Sequence, residues 1–455
     1  MRLFQPEEKF SNYYQIELCI DTEGKGAVYK AHNTRLGNEI ALKIFNPVLF
    51  PDREAYGRFE EKAQAFARLN HPNIARFFHY GTFEEMPFVA MEFIPGQSLY
   101  QYLQASAPLP TKTALRLAVQ ICTALQYAQK FRPDNRDQDS SVALSYAHQD
   151  LRPSNIMVIP PARQTDEPII RLTDFGFSVH GAVDQLPLNE QWLRYLPAEL
   201  STSESTERPI ADELSNLYTI GQFLFDMLAD KSISDHVFSN RSNGSSESDV
   251  SSISTFVELP LVDSHPSEID QEINGIIQKC TKNHPAERFE SLADLQTTIG
   301  RVQEPIKYIE DGRTFQQQQK YKSAIESWEK ALSYLPDNQP IQDLKRKSEI
   351  EQQIEQAEKQ TVIGDFESAI QSWQRVLDLC PSGGVPSLAE DPYFHRSTGE
   401  IGRLKLQNQI EPLQQEIQTQ KEQIRQMSES QLQIDTERDD FARDLLSRDQ
   451  NQDRL

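Results

Sequence analysis

The chain has 455 residues, enough for roughly three domains at about 150 residues each. Its 46 Lys and Arg against 68 Asp and Glu leave a net charge of −22 without a basic stripe, which argues against a nucleic-acid binder. A mean hydropathy of −0.61, no apolar run near the ~18 residues of a spanning helix, and a start (MRLFQPEEKF) with no apolar signal segment predict a cytoplasmic protein without membrane attachment. The four cysteines (Cys19, Cys122, Cys280, Cys380) lie too far apart to suggest a zinc site or a disulfide framework.

From about residue 10 to 300, β-branched runs mix with amphipathic helical runs, the texture of an α+β domain. Two polar stretches interrupt it. One runs from Phe131 to Tyr146; the other, Ser232 to Ser254, holds ten serines and reads as a loop. In chain order the first unit offers a glycine-containing turn and strand, Ile20-Asp-Thr-Glu-Gly-Lys-Gly-Ala-Val-Tyr-Lys-Ala31. A strand with one lysine among apolar neighbours follows, Ile40-Ala-Leu-Lys-Ile-Phe45, and then an apolar strand, Phe88 to Ile94, ending in Pro95-Gly96. Farther on come His148-Gln-Asp-Leu-Arg-Pro-Ser-Asn-Ile-Met-Val158 and Leu172-Thr-Asp-Phe-Gly176.

The order and spacing of these pieces resemble the protein kinase superfamily, in particular bacterial Ser/Thr kinases, over residues 10–300. Leu69-Asn-His-Pro-Asn-Ile74, Tyr195-Leu-Pro-Ala-Glu199 and His284-Pro-Ala-Glu-Arg-Phe289 extend the match, the last two implying a Glu199–Arg288 pair. The resemblance implies a bilobal fold, with a small β-rich N-lobe over 10–94 and a helical C-lobe over 95–300. It also implies a site for ATP and Mg²⁺. Lys43 would hold the α/β-phosphates, Asn155 and Asp174 the metal, Asp150 the substrate hydroxyl, and Arg152 would replace a phosphate-contacting lysine. Gly24 and Gly26 would lie over the nucleotide, Val28 and Ala41 would sandwich the adenine, and Met91 would stand as gatekeeper before the hinge from Glu92 to Ile94.

Several positions depart from the family pattern. Asp21 and Glu23 stand where the first two loop glycines belong, and a carboxylate there repels phosphate. Lys62 falls where the family has the helix glutamate that pairs with the strand lysine, so two lysines would face each other; Glu61 could reach only if the helix slipped, and Glu23 could block Lys43 instead. Gln149 replaces the arginine that meets a phosphorylated activation loop, and in 177–196 only Ser178 and Tyr195 offer hydroxyls. Gln191-Trp192 replace a Gly-Thr pair, and Asn216 replaces an aspartate that braces the catalytic loop.

Two segments repeat 45 residues apart, Tyr321-Lys-Ser-Ala-Ile-Glu-Ser-Trp-Glu-Lys-Ala-Leu332 and Phe366-Glu-Ser-Ala-Ile-Gln-Ser-Trp-Gln-Arg-Val-Leu377. With Tyr308, Gly312, Phe315, Ala324, Trp328, Ala331 and Pro336, the first resembles a tetratricopeptide repeat, and a helical module is expected over 305–382. The period exceeds the 34 residues of that repeat, which predicts a long connection or helices extended by about three turns. Such a module would take a protein partner or lean on its neighbours. After Pro412, read as a first-turn proline, Leu413, Ile417, Ile424, Met427 and Ile434 trace a coiled-coil seam interrupted by Gln420 and Gln431, within a long helix over 400–455 able to dimerise. Two functions fit: Mg·ATP-dependent phosphoryl transfer to Ser/Thr of a protein, or a pseudokinase that binds nucleotide and acts as an interaction scaffold.

Overall fold

A computed structural model describes residues 3–23, 26–130, 148–161, 163, 167–175, 194–201, 211–229, 267–380 and 392–452. They fall into two compact units, Met1–Ile309 with Lys330–Pro340, and Glu310–Glu329 with Ile341–Leu455.

The first unit begins with a six-stranded antiparallel sheet of β1 (Lys9–Phe10), β2 (Tyr14–Glu23), β3 (Gly26–Asn33), β4 (Asn38–Phe45), β5 (Phe77–Phe83) and β6 (Met86–Glu92), in the order β1-β2-β3-β4-β6-β5. Strand alternation decides what each face carries. On β4, Ile40, Leu42 and Ile44 are fully buried in a core with Phe10, Ile16, Tyr29 and Phe88, so Ala41 and Lys43 project from the opposite face. Helix α1 (Arg53–Phe66) starts at Asp52, whose side chain accepts from Ala55 N–H at 2.8 Å. Its apolar face of Ala55, Phe59, Ala63 and Phe66 recurs at helical spacing. Phe59 and Ala63 pack with Phe45, Val89 and Met91 beneath that second face.

The rest of the first unit is mainly helical: α2 (Leu99–Ser106), α3 (Thr111–Lys130), α4 (Ala198–Ser201), α5 (Glu213–Leu228) and α6 (Asp270–Cys280), with a small sheet of β7 (Gln97–Ser98), β8 (Ile156–Ile159) and β9 (Ile169–Leu172). Helix α5 is buried almost throughout and meets α6 at Gly221, where a Cβ would come within 2.5 Å of Cys280 Cβ. The Asn73 segment joins the two sheets. Ile74 bridges Leu172, and the Asn73 amide donates to Gln120 Oε1 (2.9 Å) and the Ile170 carbonyl (3.0 Å). This is the expected bilobal arrangement.

Among the described residues five helices follow: α7 (Leu292–Gln317), α8 (Tyr321–Tyr334), α9 (Gln339–Val362), α10 (Phe366–Leu379) and α11 (Pro392–Gln452). One helix, α7, runs through the 300–305 boundary. The two repeat segments form α8 and α10, and the 24-residue α9 between them accounts for the 45-residue period by helix extension. Within the first unit, Asn338 docks the end of the first hairpin by donating to the Glu268 carbonyl (2.5 Å) and Glu272 Oε1 (2.7 Å). Within the second, Ile354, Trp373 and Val376 share a core with Ile401 and Leu404 of α11. Pro412 does not begin a helix: it lies inside α11, which starts at Pro392. Among the described residues no helix is long and apolar enough to cross a membrane.

Candidate active site

The candidate residues come from separate elements that converge between the two sheets. Lys43, on the open face of β4, places Nζ 2.6 Å from Asp174 Oδ2, both side chains largely covered. Asp174 follows β9 with φ 57°, a left-handed conformation uncommon outside glycine, which turns the chain immediately after Thr173. Asn155 is buried, and its Nδ2 donates to the Asp150 carbonyl at 2.7 Å. The Asn155 carbonyl in turn accepts from Thr173 N–H at 2.9 Å and Thr173 Oγ1 at 3.2 Å. Asp150, Asn155 and Asp174 are thereby tied through one short network. Arg152 Nε lies 3.6 Å from Asp150 Oδ1.

His148 anchors the loop that carries Asp150. It is buried; its Nδ1 accepts from Asp150 N–H (3.2 Å) and its Nε2 donates to the Thr173 carbonyl (2.8 Å), the pattern of a neutral imidazole. Burial holds its pKa below the usual histidine range, outweighing the Thr173 bond and the charges of Asp150 and Asp174. Behind it, Asn216 of α5 accepts from His148 N–H (3.3 Å) and donates to the His148 carbonyl (3.2 Å), its amide orientation assigned from these partners. Asn216 thus braces the loop with neutral bonds. On the other side the His148 ring lies 4.6 Å from Phe175, which lies 5.5 Å from Phe66 of α1. Contacts therefore run from α1 through the Phe175 and His148 rings, and from the His148 backbone on to Asn216 of α5.

Among the residues expected to bound the adenine, Ala41 pairs with Met91 and Lys43 with Val89 across β4 and β6, while Val28 faces Lys43 across β3 and β4. Met91 is buried and lines a cavity of about 20 Å³ with Phe66, Phe77, Leu172, Asp174 and Phe175. The Glu92 N–H donates to the Arg76 carbonyl (2.8 Å), and its carboxylate accepts from Arg76 N–H (3.1 Å) and approaches Arg171 (3.5 Å). Ile94 is buried, and its carbonyl accepts from Gly96 N–H at 2.9 Å. Gly26 has φ 155°, and a Cβ there would lie 2.2 Å from the Ile44 carbonyl, so the strand crossing needs a glycine. Gly24, the Glu23 side chain, Ser178, Gln191-Trp192 and the stretches 131–146 and 232–254 lie outside the described residues.

The departures resolve individually. Asp21 is exposed on β2, paired in register with Val28. Glu61 is exposed and Lys62 half-buried, so α1 has not slipped; burial, then the like charge of Arg58, lowers the Lys62 pKa. Lys43 is paired with Asp174. Gln149 clamps the Ala211 backbone, Nε2 to the carbonyl at 2.9 Å and Oε1 from the N–H at 3.0 Å. Tyr195 is not an accessible hydroxyl: at 4% exposure it donates to Asp226 Oδ2 (2.5 Å), accepts from Arg194 Nη2 (2.6 Å), and burial followed by Asp226 raises its pKa well above the usual value. Glu199 and Arg288 form the expected pair, bidentate at 2.6 and 2.9 Å.

A cation fits the donor set only in part-protein coordination. Among the described residues no group of three or more His, Cys, Asp or Glu could hold a metal. Asp174 and Asn155 contribute one carboxylate and one amide oxygen, hard donors suited to Mg²⁺ that keeps water or phosphate oxygens for its other positions. Lys43 adds a cation beside them.

The family model that matches this chain is described as Protein kinase domain and covers residues 22–298. Serine/threonine-protein kinase PrkC of Bacillus subtilis is 25% identical over 318 residues, 70% of this chain and 45% of that protein. Serine/threonine-protein kinase pkn3 of Myxococcus xanthus is 29% identical over 218 residues (47% and 37%), and PknA of Mycobacterium tuberculosis 27% over 226 residues (49% and 48%). The match spans less than half the length of each of these relatives.

Proposed function

The chain belongs to the protein kinase family, and from that premise we propose that it transfers the γ-phosphoryl group of Mg·ATP to a serine or threonine hydroxyl of a protein. The observation that carries this reading is the bonded network joining Asp150, Asn155 and Asp174, with Lys43 at 2.6 Å from Asp174. Mg²⁺, held by Asp174 and Asn155, would supply charge neutralisation at the phosphates. Lys43 would bind the α/β-phosphates, exchanging its carboxylate partner for phosphate oxygens. Asp150 would orient the attacking hydroxyl and take its proton as the new oxygen–phosphorus bond forms, and ADP would leave. Arg152 would steady the transferring group. Val28, Ala41, Met91 and the Glu92–Ile94 backbone would bound the adenine, with Gly24 and Gly26 over the phosphates. The helical hairpins would serve as a protein-binding surface.

One observation favours a second reading, a nucleotide-binding scaffold without turnover: α1 offers Lys43 no acidic partner at the Lys62 position. The test is intact mass of the full chain with Mg²⁺ and ATP, alone and with a generic basic protein substrate, using Asp174→Ala as control. Gain of about 80 Da increments, the mass of a phosphoryl group, in wild type alone supports the kinase, and the serines of 232–254 are then the first to map. No transfer to either acceptor, with a melting shift on nucleotide, supports the scaffold.

A further inference from the structure

Helix α11 does two jobs along its length. Its first turns are packed, Ile401 and Leu404 sharing the core of the second unit. From Lys405 to Arg443 every residue is exposed except the partly covered Asp435. On that stretch Leu406, Ile410, Leu413, Ile417, Ile424, Met427, Ile434 and Phe441 remain between 45% and 72% exposed. Their spacings fit alternating steps of four and three, with Gln420, Gln431 and Arg438 at the remaining steps. The seam is therefore continuous, and Pro412 sits on the outer face, one residue before a seam position. The seam has no partner among the described residues of this chain.

We propose that this seam pairs with the same helix of a second copy, parallel and in register, as a two-stranded coiled coil. Three features select that occupant. Ile410, Ile417 and Ile424 take the a positions and Leu406 and Leu413 the first d positions, the β-branched and γ-branched assignment of parallel dimers. In register, Gln420 meets the partner's Gln420 and Gln431 the partner's Gln431, so each polar interruption finds a hydrogen-bonding amide. Glu416 at g then faces the partner's Lys421 at e, an attraction on both sides of the coil. The antiparallel alignment that also matches glutamine to glutamine sets Glu416 against the partner's Glu437 and Arg438 against the partner's Leu413. An antiparallel pairing shifted by one heptad sets Lys421 against the partner's Lys421. Arg438, at an a position but ion-paired with Asp435 at 3.8 Å, marks where the apolar seam weakens.

The experiment uses the full chain. Sedimentation equilibrium at micromolar protein is expected to give twice the 52.2 kDa protomer mass. Ile417→Asp with Ile424→Asp, both at exposed positions, is expected to weaken association by at least about a hundredfold, because each unpaired charge is buried by pairing. The thermal unfolding of the rest of the chain should not change. For orientation, Ile410→Cys in a Cys19→Ser background, which removes the exposed native thiol, is expected to form a disulfide-linked dimer under mild oxidation. A monomer at these concentrations, or a dimer indifferent to the Asp pair, overturns the proposal. A dimer that Ile410→Cys does not cross-link overturns the parallel register.

Discussion

Gln149 and the backbone of Ala211 close a ring of two hydrogen bonds, the side-chain amide serving as donor at 2.9 Å and acceptor at 3.0 Å. A neutral amide matched to a neutral peptide needs no added charge to hold the chain ahead of α5. The arginine usual at this position in the family answers a phosphate; this glutamine answers the fold itself. Activity is therefore expected to survive complete dephosphorylation of the protein by a phosphatase, and a dead dephosphorylated enzyme would contradict this. Gln149→Ala leaves the buried Ala211 groups without that amide and is expected to cost about 2 kcal/mol of stability. A denaturant midpoint measured against wild type reads it.

Lys43 spends its charge on Asp174, the carboxylate that should face a metal, while α1 presents the half-buried cation Lys62. Lys62→Glu removes a desolvated ammonium and supplies a carboxylate where the family pairs with the strand lysine. The expected result is Mg·ATP binding two- to fivefold tighter, the ~0.4–1 kcal/mol of a partly exposed ion pair. Isothermal titration with Mg·ATP measures it directly. Unchanged or weaker affinity would mean that α1 does not control the Lys43–Asp174 pair.

How far the sequence disclosed this site follows from the range of each interaction. Lys43 was legible as the one lysine in an otherwise apolar strand, and Glu199–Arg288 because two charged residues stood in recognisable motifs. Asn216 was legible as a hydrogen-bonding brace, though not as one that both donates and accepts. Gln149 read as a loss, since nothing local announces an amide bonding a backbone 62 residues away. The burial of Tyr195 depends on Asp226 and Arg194, and the role of Gln120 on Asn73 and Ile170, contacts that no spacing encodes. Pro412 looked like a helix start because proline costs about 3 kcal/mol inside a helix. The long helix-favouring flanks of α11 carry the helix through it.

Gly312 of α7 offers a sharp test of the first helical hairpin. A Cβ at that position would lie 2.8–2.9 Å from three ring atoms of Trp328, a fully buried side chain whose Nε1 donates to Ser348 Oγ at 3.1 Å. The indole has no free end to swing away. Gly312→Ala is expected to destabilise the second unit by about 1–3 kcal/mol, overriding the helix propensity that alanine adds. The measurement is the thermal transition of that unit followed by tryptophan fluorescence in a Trp192→Phe background, so that Trp328 and Trp373 report it. An equal or higher midpoint would show that α7 and α8 stand farther apart.

The His148 imidazole makes stability of the first unit pH-dependent in a defined direction. Its folded pKa lies below the unfolded value near 6.5 because burial disfavours the cation. Below pH 6.5 the unfolded chain takes up a proton that the folded chain refuses, so stability falls as pH falls, by up to about 1.4 kcal/mol per pH unit until the folded pKa is reached. His71 and His79, more open to solvent, are shifted the same way by burial and add to the slope. Melting curves should therefore stay nearly level from pH 7.5 to about 6.5 and move downward from there to pH 5.5. His148→Gln keeps a donor and an acceptor but cannot titrate, and should flatten most of that slope while lowering stability throughout. An unchanged slope in the variant would assign the pH dependence elsewhere and leave His148 a purely geometric anchor for Asp150.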